Sequence, residues 1–61
     1  MSVTITLSDE EAGFLVASLR TVRSDLRMEI ADTDRPSYKR VLRSDKAILD
    51  RILVELGQPV A

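Results

Sequence analysis

Apolar and polar residues alternate over SVTITL at the start of the chain. Val3, Ile5 and Leu7 fall on one side, and Ser2, Thr4 and Thr6 on the other. A period of two with several β-branched residues predicts a short strand over residues 2–7. From residue 9 the apolar period lengthens to between three and four, the mark of an amphipathic helix. One series runs Ala12, Leu15, Leu19, Val22, Leu26, Ile30. A second runs Tyr38, Leu42, Asp45, Leu49, Ile52, Leu56, with an aspartate where an apolar residue is expected.

The punctuation between these series fixes the element ends. Ser8 followed by Glu11 spells a capping box. Asp9, Glu10 and Glu11 place negative charge on the positive end of a helix dipole. The first helix is therefore expected over about 9–32. In TDRPS, Thr33 or Asp34 is the expected cap of a second helix, with Pro36 in its first turn. That helix is expected over about 36–56, closed by Gly57 at the position after the cap, with Pro59 beyond and a loose tail over 57–61.

Two long helices joined by a few residues must run antiparallel. The predicted fold is all-α: a two-helix hairpin with a short N-terminal strand, making one domain over 1–61. If Asp32 faces Pro36, facing residue numbers sum to about 68. Leu26 then meets Leu42, Leu19 meets Leu49 and Leu15 meets Leu53. The layer holding Asp45 brings it to Arg23. This register predicts a partly buried Arg23–Asp45 ion pair that keys the alignment of the helices.

Composition narrows the chemistry. The chain has 61 residues, with no Cys and no His. Disulfides, thiolate metal sites and the commonest general base are thereby removed. The acids at 9–11 are explained by helix capping. Asp32 and Asp34 suit a turn, without the spacing or glycine of a calcium loop. Ser44 and Lys46 are two apart on a helix and do not face each other. No catalytic, cofactor or metal site is predicted, and the chain reads as a non-enzyme. Neither a signal peptide nor a membrane-length apolar run is present, so a cytoplasmic protein with no membrane partner is expected.

Net charge is −1, from 9 basic and 10 acidic residues, but the charges are segregated. Arg20, Arg23 and Arg27 lie on one flank of the first helix's stripe. Lys39, Arg43 and Lys46 lie on one flank of the second's. Antiparallel packing brings both flanks to the same side, with Arg35 near the turn and Asp50 interrupting. Apart from Arg23, these cations form a candidate face for an anionic partner, nucleic acid included. Elsewhere the hairpin carries surplus apolar residues. Phe14, Ala17, Thr21 and Met28 form a second seam on the first helix, and Val41 and Ile48 flank the stripe of the second, with Ile52 at its margin. A chain this small buries little surface alone, so these seven residues are expected at an interface. The expected assembly is a homodimer, two hairpins forming a four-helix bundle, with the strands paired between copies.

The segment TITLSDEEAGFLVASL resembles the start of ribbon-helix-helix DNA-binding regulators. In that family paired N-terminal strands of a dimer read the major groove, which would put Ser2, Thr4 and Thr6 on bases. The resemblance covers about the first third of the chain, and nothing breaks the first helix where the family has its glycine-containing turn. The functional expectation is a non-enzymatic protein–protein interaction module: an adaptor, inhibitor or assembly subunit of the kind short bacterial or phage reading frames encode. The alternative is a dimeric DNA-binding regulator of the ribbon-helix-helix kind, or a binder of another anionic partner.

Overall fold

A computed structural model describes residues 1–58. It is a hairpin of two helices, α1 (Asp9–Asp32) and α2 (Pro36–Glu55), packed against each other. The Ser8 hydroxyl accepts from the Glu11 amide at 3.1 Å, and the Ser8 amide donates to Glu11 Oε1 at 3.0 Å. These bonds satisfy amides that would otherwise lack a partner at the helix start. Held by the Ser8 amide first, and then by its hydroxyl, the Glu11 carboxyl titrates below the ordinary glutamate range. No proline or strained residue interrupts the next 24 positions, and α1 runs unbroken to Asp32.

The turn differs in detail from expectation. Thr33 closes α1, its amide donating to the Glu29 carbonyl at 3.0 Å. The residue before Pro36 is driven to extended backbone. Arg35 therefore becomes the N-cap of α2, and no side chain caps that end, neither Thr33 nor Asp34. At the far end Gly57 takes a φ of +80°. The Gly57 amide donates to the Val54 carbonyl and the Gln58 amide to the Leu53 carbonyl, both at 2.9 Å. That pair of bonds is the Schellman closure. Gly57 and Gln58 thus belong to the cap. The remainder of the expected loose tail, 59–61, lies outside the described residues.

No strand forms among the described residues, and residues 1–8 are exposed. A strand needs a neighbour to take its backbone hydrogen bonds, and a hairpin of helices offers SVTITL none.

The core is small. Among the described residues only Leu42, Leu49 and Leu53 are buried, all on α2, and Leu53 is the most enclosed at 1% exposure. Around them Ala12, Leu15, Leu19, Leu26 and Ile30 of α1 are half-buried, while Val22 is exposed. The principal extents are 41, 25 and 16 Å. The shortest is little more than the ~10–12 Å diameter of a helix with its side chains. The hairpin is a single layer.

The face that α2 turns to α1 corrects the expected one. It runs Lys39, Leu42, Lys46, Leu49, Leu53, Leu56 rather than through Tyr38, Asp45 and Ile52. The difference is a rotation of about 50° at 100° per residue. The reason lies in side-chain length. A lysine can lay its four-carbon stem against apolar neighbours and keep its ammonium in water. An aspartate in the same place would bury its carboxylate. Turning Lys46 inward and Asp45 outward also brings Leu53 into the centre. Tyr38 is left exposed, its hydroxyl donating to Glu29 Oε2 at 3.1 Å. That bond to a carboxylate, with the glutamate's charge behind it, raises the Tyr38 pKa.

Candidate functional site

The rotation decides the fate of the expected ion pair. Asp45 is exposed, and the carboxylate on Arg23 is that of Asp50, with Arg23 Nε to Asp50 Oδ1 at 2.6 Å. Helical side chains lean toward their own N-terminus. Arg23 leans toward the open end of the hairpin, and Asp50 leans back toward the turn, so the two converge. Arg23 and Asp45 at one level would lean apart. The other Asp50 oxygen accepts from Lys46 Nζ at 2.9 Å. The Lys46 hydrogen bond foremost, and the Arg23 bond with it, holds the Asp50 carboxyl below the ordinary aspartate range against an opposing partial desolvation. The clue in the sequence was the i, i+4 spacing of Lys46 and Asp50.

The basic flank is thus divided. Arg20 Nη2 donates to Gln58 Oε1 at 2.8 Å. Arg23 and Lys46 are tied to Asp50. The side chains of Arg27, Lys39 and Arg43 form no hydrogen bond or ion pair with any described residue. These three, with Lys46, line an open cleft of about 400 Å³ together with Ile30 and Ala31. A neighbouring hollow of about 490 Å³ shares Lys39 and Arg43 and reaches Asp34 at the turn. Arg35 is exposed at the turn, apart from this cleft.

The other side of the hairpin carries an apolar groove of about 340 Å³. Val22 and Leu26 of α1 form one wall, and Ile48, Leu49 and Ile52 of α2 form the other, with Asp45 at the edge. All seven residues expected at an interface are exposed. The structure brings Ile48 and Ile52 together in this groove. Phe14, 76% exposed, lies instead beside Ile5 and Leu7 in a separate hollow at the start of α1. Ala17, Thr21 and Met28 share the outer side of α1, and the Thr21 hydroxyl is spent on the Ala17 carbonyl at 3.1 Å. Val22 was expected inside the hairpin and lies in the open groove instead.

Among the described residues no group of three or more His, Cys, Asp or Glu is placed to hold a metal ion. No helix among them is long and apolar enough to cross a membrane. The fold and its surfaces define the chain as an antiparallel helical hairpin one layer thick, with a basic cleft on one flank and an apolar groove on the other. No protein-family model, curated protein or solved structure matches it. The unbroken α1 departs from the short-helix, turn, helix pattern of ribbon-helix-helix regulators.

Proposed function

We propose that this chain is a small, non-enzymatic protein–protein interaction module of the cytoplasm that works as a homodimer. Two hairpins stack through the Val22–Ile48–Ile52 groove into a four-helix bundle. The observation that carries the reading is the single-layer build: three buried side chains, and twelve large apolar residues left exposed among those described. Stable domains pack two layers around a core, and an open apolar face rimmed by polar groups marks an interface.

Charge complementarity supports a second copy as the occupant. The outer flank of α1 beside the groove carries Asp25 and Glu29, and the outer flank of α2 carries Arg40 and Arg51, all exposed. In a two-fold stack with both turns at one end, α1 of each copy lies over α2 of the other. Glu29 of each copy then sits at the level of Arg40 of the other, an acid over an arginine on both sides. The two SVTITL segments meet at the opposite end, where each gives the other the strand neighbour it lacks.

Equilibrium sedimentation across concentration tests this reading. A dimer that Ile48→Glu converts to a folded monomer supports it. A well-folded monomer at every concentration would rule it out.

A further inference from the structure

We propose that the cleft between Arg27 of α1 and Lys39, Arg43 and Lys46 of α2 binds a compact polyphosphate anion, such as an inorganic tripolyphosphate or the phosphate chain of a nucleotide. The cleft and the apolar groove lie on opposite flanks of the hairpin, so the proposal stands apart from the dimer.

Four cations converge from two helices on one concavity, and no carboxylate lines it. The chain carries more acids than bases, so partners for these cations were available in its composition. Three of the four nevertheless lack any hydrogen bond or ion pair among the described residues. The fourth, Lys46, is held at the rim by Asp50, which fixes where its charge sits. Lys39 and Arg43 are like charges four apart on one helix, an arrangement that costs a few tenths of a kcal/mol. Helix stability therefore does not account for the cluster.

Phosphate is the chemistry that repeated Arg and Lys donors fit best. Guanidinium groups grip its oxygens in pairs, and ammonium groups supply point charge. The size is that of a small-ligand pocket, at about 400 Å³. Ile30 and Ala31 supply the apolar part of its lining. A duplex would call for cations spread along an exposed ridge to follow its backbone. A single strand would call for aromatic side chains to stack its bases. The cleft has neither.

The test is calorimetric titration of the full-length chain at low salt with sodium tripolyphosphate, orthophosphate and a short DNA duplex. The expected result is one tripolyphosphate per chain, bound about tenfold or more tighter than orthophosphate. Arg27→Gln and Arg43→Gln should each weaken it about tenfold, the loss of one charge-assisted contact. Both side chains are exposed and have no partner among the described residues, so the helical circular dichroism should not change. Arg51→Gln, on the far flank, should leave binding as it was. No binding at low salt, an equal loss with Arg51→Gln, or a preference for the duplex with a steep salt dependence would each overturn the proposal.

Discussion

Arg23 and Asp50 join the two helices at 2.6 Å, with side chains 15% and 22% exposed. The contact is short, charge-assisted and partly desolvated, and Asp50 spends its second oxygen on Lys46. One carboxylate thus ties α1 to α2 and at the same time fixes a cation beside the basic cleft. Asp50→Ala should destabilise the hairpin by about 1–2 kcal/mol, more than an exposed pair is worth and less than a fully buried one. A double-mutant cycle with Arg23→Ala, followed by chemical denaturation, should return a coupling of about 1 kcal/mol. Zero coupling would mean that the pair does not fasten the helices.

The same carboxylate sets a pH dependence. Its folded pKa lies below the unfolded value, because Lys46 and Arg23 donate to its charged form. Such a group contributes its stability above the unfolded pKa and loses it as pH falls through the folded one. Denaturation midpoints should therefore fall on acidification below the ordinary aspartate range. Asp50→Asn should flatten part of that fall, and a slope unchanged in the variant would contradict the assignment.

The helix ends and the hairpin were legible in the sequence because each was marked locally: Ser8 and Glu11 at one end, Pro36 at the turn, Gly57 at the other. The rotation of α2 was not. Leu42, Leu49 and Leu56 belong equally to a stripe through Asp45 and to one through Lys46, and periodicity cannot choose between them. The choice rests on how far a side chain reaches: a lysine stem can line a core edge, an aspartate cannot. The basic flank was legible as a set of residues. Its division into paired and unpaired cations depended on that rotation. The strand signal of SVTITL was a statement about side-chain alternation alone, and no single-chain partner answers it.

Leu53 is the centre of a core of three leucines, and removing it should be close to fatal. Leu53→Ala is expected to cost about 2–5 kcal/mol. A chain of this length holds only about 3–9 kcal/mol in total at the usual stability per residue. The variant should lose most of its helical circular dichroism at 25 °C if the chain is monomeric. Ile52→Ala, one position away and 40% exposed, should cost far less to the hairpin itself.

Gly57 occupies backbone that other residues adopt only under strain. Nothing lies within 4 Å of the point where a Cβ would sit, so the cost of Gly57→Ala is that of the backbone alone, about 1–2 kcal/mol. Thermal denaturation should show that loss. Gly13, in helical backbone with equally open space, should move the other way on substitution by alanine, by about 0.5–1 kcal/mol.

Asp45 provides the sharpest comparison, because the sequence marks it as a break in an apolar stripe and the fold turns it to solvent. It sits at the edge of the Val22–Ile48–Ile52 groove. Asp45→Ala should leave the stability of an isolated hairpin within about 0.5 kcal/mol, as exposed substitutions do, while Asp50→Ala costs several times more. Asp45→Leu should enlarge the apolar groove and shift sedimentation toward larger species at a given concentration. Such a shift would assign Asp45 the work of limiting how far the open face sticks to other surfaces. If Asp45→Ala destabilised the hairpin as much as Asp50→Ala, α2 would have to be turned back through Asp45, and both the groove and the cleft would move with it.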